Sequence, residues 1–175
     1  VGSEMCIRDS TPGPAHPTPG HAVEPPSVEA IRTMVSSVQV ADRRHGGGRL
    51  YHEVLDYLRH QVAPALFSPD AEAGLYAAAA SLTEIAGWMA HDSGRDVDAR
   101  THFDGAYRFA LAAGSAPLAA NMCASMAHLA CQLGQPDDGL RIADVGLARA
   151  DQTTGVAVVV ARLQAVSYTH LTLPT

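Results

Sequence analysis

Apolar residues recur at three- and four-residue steps along most of the chain, which is the spacing of one face of an α-helix. Val28, Ile31, Val35 and Val38 mark a first helix, with Ser27 placed to cap it and Glu29 in its first turn. Tyr51, Val54, Leu55, Leu58 and Val62 mark a second, which Pro64 should kink or end. Ser68 or Asp70 then stands where a cap is needed for a long helix carrying Leu75, Ala78, Ala79, Leu82, Ile85, Ala86 and Met89. Asp92-Ser93-Gly94 is a tight turn, because glycine accepts the left-handed backbone that ends a helix. Ala99, Phe103, Ala106, Tyr107, Ala110 and Leu111 form the next apolar face. Ser115 caps a helix with Leu118, Met122, Met126, Leu129, Ala130 and Leu133 inward, and Pro136 opens another that runs to Ala150. A last helix starts at Thr153 or Thr154, with Val156, Val159, Val160 and Leu163 in register. The pattern predicts an all-α chain of about seven helices and short polar turns, with no strand.

The pattern also repeats. Gly94 maps to Gly134, Ala99 to Gly139, Phe103 to Ala143, Ala106 to Gly146 and Ala110 to Ala150, always at the offset that separates Gly94 from Gly134. A repeated helix pair is the mark of an α-solenoid, so antiparallel pairs stacked as a short solenoid are expected. Gly87, Ala99, Phe103 and Ala106 resemble the tetratricopeptide-repeat pattern of glycine, alanine, aromatic and alanine. Small residues at 87 and 99, and at Ala127 and Gly139 in the second copy, would let the helices of each pair approach closely.

Domain organisation follows from composition. Residues 1–10 (VGSEMCIRDS) and 166–175 (VSYTHLTLPT) resemble translated sequencing-adaptor read-through and are set aside from the fold argument. Residues 11–26 hold Pro12, Pro14, Pro17, Pro19, Pro25 and Pro26, a density that blocks helix and sheet and marks a linker. Residues 27–165 are then the helical domain, expected to be cut from a longer chain with another domain upstream.

Charge and residue usage exclude several chemistries. The net charge is −6, and all 12 basic residues are arginine. Without lysine there is no Schiff-base chemistry and no phosphate-binding Walker lysine. The acidic balance argues against this segment being a nucleic-acid surface. Cys123 and Cys131 lie two turns apart on one helix, too far to pair, and read as small apolar core residues in a reducing cytoplasm. No apolar run reaches membrane-spanning length.

Candidate chemistry is sparse. Gly46-Gly47-Gly48 follows a helix rather than a strand and reads as a flexible turn. Of the histidines His52, His60, His91, His102 and His128, His52 and His60 share a face only loosely, and no His-Glu-x-x-His or Cys-x-x-Cys pattern occurs, so these read as surface or half-buried histidines and neither a metal nor a cofactor is expected. Asp96, Asp98 and Asp104 suit a helix N-terminus better than an acid–base pair. Arg43, Arg44 and Arg49 read as a solvated basic turn. No nucleophile context survives, so an enzyme is not expected. Tyr76, Trp88 and His91 are the candidate contacts along a groove formed by the stacked pairs.

Three stretches carry a wider resemblance: Asp42-Arg43-Arg44-His45-Gly46-Gly47-Gly48, then Ala63-Pro64, then Ala86-Gly87-Trp88-Met89-Ala90 with Asp92-Ser93-Gly94. Across about residues 28–165 the chain resembles the C-terminal helical region of actinobacterial Xre-type helix-turn-helix transcriptional regulators. The all-arginine usage fits such a GC-rich source. The resemblance implies a sensing region that binds a peptide, protein or small-molecule effector, in a cytoplasmic protein that meets DNA only through an N-terminal domain. A homodimer is compatible with it. That DNA-binding domain is not in this sequence, which leaves a stand-alone tetratricopeptide-like scaffold as the alternative.

Overall fold

The computed structural model describes residues 25–45 and 50–150, with side chains described outside 42–49. The flanking linker and adaptor-like ends, the Gly46–Gly48 turn, the Arg43, Arg44 and Arg49 cluster and the helix expected from Thr153 lie outside the described residues. Among those residues there are helices and turns and no strand.

Helix α1 is Val28–His45. Ser27 caps it as expected, its Oγ accepting from the Ala30 N–H at 3.1 Å. Helix α2 is one rod in three segments, Tyr51–Tyr57, a π-helical stretch Leu58–Val62, and Ala63–Leu66. Of the two outcomes expected at Pro64, a kink or an end, the helix does not end there. The wider π turn, with Ala63 N–H bonded five residues back to Leu58 O, stands just ahead of the residue that cannot donate. Helices α3 (Ala73–Asp92), α4 (Asp96–Ala112), α5 (Ala116–Gln132) and α6 (Pro136–Ala150) follow. Neither Ser68 nor Asp70 caps α3. It starts after Glu72 with no side-chain cap, and Ser68 instead accepts from the Asp70 N–H within the preceding turn.

The last four helices keep one cadence. Gly94, Gly114 and Gly134 are evenly spaced along the chain, with φ of 72°, 65° and 71°. At each, the residue after the glycine bonds back to the carbonyl five before it: Arg95 to Ala90, Ser115 to Ala110, Gln135 to Ala130. This is the Schellman closure of a helix, and it needs a residue with φ above zero at the glycine position. Ser115 also caps α5, accepting from the Leu118 N–H.

The short turns make neighbours antiparallel. Gly87 on α3 meets Phe103 on α4, and Gly139 on α6 meets Cys131 and Ala127 on α5. An added Cβ would sit 2.6 Å from the Phe103 ring in the first case and 2.6 Å from Cys131 Sγ in the second. Both pairs therefore need glycine for their backbone approach. The four inward positions of α4, Ala99, Phe103, Ala106 and Ala110, are buried, and so are their equivalents in α6, Gly139, Ala143, Gly146 and Ala150. Leu111 does not join them; it is 43 % exposed because it falls on the outer side of α4.

Alternate helices lie side by side and parallel. Val28 meets Gly74, and Arg32, Val35 and Ser36 flank Ala77, Ala78 and Ser81, which sets α1 beside α3. Residues about one repeat apart then match between α3 and α5, as described below. Helices α4 and α6 form a second layer, reached from α2 by Tyr51, whose hydroxyl donates to His102 Nε2 at 2.9 Å. The largest core cluster, with Ile31, Val54, Leu82, Met89 and Phe103, lies between the layers at the α1–α4 end. Toward α6 the core thins to Cys123, Ala124, Ala127 and Ala143.

Candidate functional site

The most developed polar arrangement runs along the seam between α3 and α5. On α3 the stripe Ser81, Glu84, Trp88, His91 is spaced by three and four residues. On α5 the facing stripe is Asn121, Ser125, His128, Gln132.

At one end, Asn121 Nδ2 donates to both carboxylate oxygens of Glu84, at 3.1 and 3.2 Å. The hydroxyl of the fully buried Ser125 donates to the same carboxylate at 2.5 Å. Hydrogen bonds to an ionised carboxylate contribute more than neutral ones, about 1.5–3 kcal/mol each. In the middle, Trp88 stands edge-on to His128 at 5.5 Å between centroids, to His91 at 6.2 Å and to Phe103 at 5.0 Å. At the other end, His91 Nδ1–H donates to Asp96 Oδ1 at 2.6 Å, and His91 Nε2 meets Gln132 Oε1. Gln132 Nε2 in turn meets His128 Nε2 at 2.8 Å.

Both ring nitrogens of His91 thus face oxygen acceptors, which only the imidazolium satisfies fully. Its pKa is raised accordingly, first by the hydrogen bond to Asp96, with burial opposing and Gln132 adding. With His91 protonated, the Gln132 amide oxygen accepts from His91 Nε2 and its nitrogen is left to donate to His128 Nε2. Deprotonating His91 at Nε2 would favour the flipped amide and reverse that bond. The seam is therefore a short relay, Asp96–His91–Gln132–His128, laid over a tryptophan.

The structure brings two of the three expected groove residues together. Trp88, half-buried, and His91 belong to the seam. Tyr76 does not. It sits three turns away, about 18 Å along α3, where its hydroxyl donates to Leu66 O at 2.9 Å and its ring tilts against Phe109. Tyr76 ties the end of α2 to α3, because a phenol near a helix end finds the carbonyls that the helix itself leaves unpaired. The six packing residues, Gly87, Ala99, Phe103, Ala106, Ala127 and Gly139, are all buried. Glu84, Asn121, Ser125 and Gln132 have no signal in the local sequence, and His128 reads there only as a surface or half-buried histidine, although the repeat offset applied to Trp88 leads directly to it.

Beside the seam, a groove of about 620 Å³ is framed by α1, α3 and α5, with Arg32, Ser36, Ser81, Ser115 and Asn121 supplying its polar groups. Among the described residues no group of three or more His, Cys, Asp or Glu is placed to hold a metal. Asp96 and Asp98 stand in the first turn of α4, but Asp104 lies in mid-helix, contrary to expectation; Asp98 pairs with Arg95 at 3.0 Å and Asp104 with Arg108 at 2.8 Å, both on the surface. His102 is held below its ordinary pKa by burial and accepts from Tyr51 as a neutral ring. Cys123 and Cys131 are free thiols, and burial pushes Cys123 up to about 11. No described helix is long and apolar enough to cross a membrane.

A scan against models of protein families, a search of curated proteins and a search of solved structures each found no match.

Proposed function

We propose that residues 27–165 are a tetratricopeptide-like solenoid acting as the sensing or partner-binding region of a cytoplasmic transcriptional regulator, whose DNA-binding domain lies outside this sequence. The observation that carries the reading is the α3–α5 seam. Two parallel helices of one layer present a polar and aromatic strip about three turns long, beside a groove lined by hydroxyls, an amide and Arg32. A packed core has no need of such a strip; a surface that receives a peptide or helix does. The turns repeated at 94, 114 and 134 and the paired glycines support the solenoid.

The seam also gives the sensor a working part. An occupant that offers a carboxylate to His91 or an amide to Glu84 competes with the bonds now joining α3 to α5. It would shift the relative placement of the two pairs by as much as it prefers one arrangement over the other. The net charge of −6 leaves DNA contact to another domain.

A mobility-shift assay at stated salt tests this, comparing the 175-residue chain with the full-length gene product on the gene's own promoter and on genomic fragments. Binding by the full-length protein alone is expected, weakened or strengthened by Trp88→Ala. Specific binding by the short chain, or none by the full-length protein, rejects the regulator and leaves the scaffold reading.

A further inference from the structure

Helix α5 has a second face open to a groove. Asn121, Ser125, His128 and Gln132 look into the seam, whereas Cys123, Met126 and Ala130 lie on the other side and line a separate concavity of about 500 Å³. Its walls are α4 and α6. The lining that a ligand can reach is apolar: Tyr107, Met126 and Ile142 are half-buried, and Val145 is 48 % exposed. Of the exposed large hydrophobic residues among those described, Val145 alone lines this groove. An apolar concavity of this size is the usual form of a small-molecule site, and the unbranched Met126 chain adapts to the shape laid on it.

The margin carries four charged residues, two of each sign: Arg100, Asp104, Asp138 and Arg141. Each is engaged by the protein itself. Asp104 pairs with Arg108 at 2.8 Å, Asp138 pairs with Arg141, and Arg100 donates to the amide oxygen of Gln135. An ionic ligand would give up its water to a lining with no net charge, which is costly without a counter-ion. A peptide backbone fares no better, because every residue brings a donor and an acceptor that need partners. Apolar surface is what this lining can take from water at a gain.

We propose that this groove binds a small, uncharged, largely apolar molecule, a chain or ring system with at most a hydroxyl or carbonyl group left at the open side. Its body lies against Met126, Ile142 and Val145, with Tyr107 on the α4 wall. The site is separate from the seam and stands whether or not the parent protein binds DNA.

Fluorescence titration of the 175-residue chain with N-phenyl-1-naphthylamine, an uncharged probe that brightens in apolar surroundings, tests this. Saturable one-to-one binding is expected. Decan-1-ol should displace the probe at least about tenfold more effectively than decanoate or decyltrimethylammonium, since either ion must lose water without a counter-charge. Val145→Glu sets a carboxylate in the groove and should abolish probe binding, whereas Val97→Glu, at a position 79 % exposed and outside the groove, should leave it unchanged. Circular dichroism and thermal melting establish that both variants are folded, and the comparison of the alcohol with the two ions needs no variant. No saturable binding, displacement by either ion as effective as by the alcohol, or equal effects of the two variants overturns the proposal. So does a dimer in sedimentation equilibrium that Val145→Glu dissolves, which would give the groove to a second copy of the chain.

Discussion

The α3–α4 and α5–α6 pairs solve one packing problem in opposite ways. In the first, the glycine is on the leading helix: Gly87 leaves room for the Phe103 ring, which fills the space between the layers. In the second, the glycine is on the trailing helix: Gly139 lies under Cys131 and Ala127, and the position equivalent to Phe103 is Ala143. Equal backbone proximity is thus reached with unequal cores, one built on a phenylalanine and the other on alanines and a thiol. The difference extends to the seam. Trp88 rests its edge on Phe103, and one period later His128 occupies the equivalent place. The aromatic base of the first pair is what lets a tryptophan stand half-exposed in the seam without losing its packing.

Phe103→Ala should break this asymmetry most severely. Removing a fully buried ring costs about 3–5 kcal/mol, read as a fall in the denaturant midpoint, and it should also red-shift the emission of Trp88, the chain's single tryptophan. Gly87→Leu should cost about 1–3 kcal/mol by forcing the Phe103 ring out of its place, whereas His91→Ala should cost less; equal losses would remove close approach as the reason for the glycine. Ala143→Phe imposes the first arrangement on the second pair and should be destabilising by itself, because the Ala127 methyl occupies the space that Gly87 leaves open. Ala127→Gly should recover part of that loss in the double variant, and additivity of the two changes would deny the equivalence.

Gly139→Ala is a smaller test. Helix propensity favours alanine by about 1 kcal/mol, but the new methyl meets Cys131 Sγ at 2.6 Å. A net loss is expected, cut by at least half when Cys131→Ala removes the sulfur. The smallest effects are protonic. The raised pKa of His91 gives stability that is complete below the unfolded value near 6.5 and is lost as pH rises through the folded value. The lowered pKa of His102 works with the opposite sign: its contribution holds above 6.5 and is lost as pH falls from there toward the folded value. Imidazole proton shifts followed by NMR should show His91 titrating above 6.5 and His102 below it. The opposite order would contradict the Asp96 contact of His91 and the burial of His102 together.

Helix identity was legible because each element carries its own evidence nearby. Ser27 and Ser115 cap as their positions require, and the apolar residues read for α3 from Leu75 to Met89 are all buried, with Ala80, Thr83, Gly87 and Ala90 buried besides because the helix is packed on more than one side. The π turn ahead of Pro64 was not legible because it has no signature in apolar spacing, and Leu111 misled because a face wide enough for Tyr107 can be read one residue too wide. The seam was only half legible. Trp88 and His91 declare themselves as large polar-tipped residues within a small-residue helix, but their partners are far along the chain, as in Glu84–Asn121 and His91–Gln132. No local pattern joins such positions. The repeat period does, since it is the register between two parallel helices as well as the length of one repeat.

The even cadence of the turns gives the molecule a parity. Each of the three Schellman closures reverses the chain, so α3 and α5 belong to one layer and α4 and α6 to the other. Duplicating or deleting a whole helix pair between equivalent turns, from Arg95 through Gly134 for example, keeps that parity and leaves each surviving helix facing its kind of neighbour. Duplicating one helix with its turn, Arg95 through Gly114, does not: all later helices change sides, and stripes meant for the seam are turned toward the opposite groove. Growth or loss of such a chain is therefore cheap in steps of two helices and ruinous in steps of one.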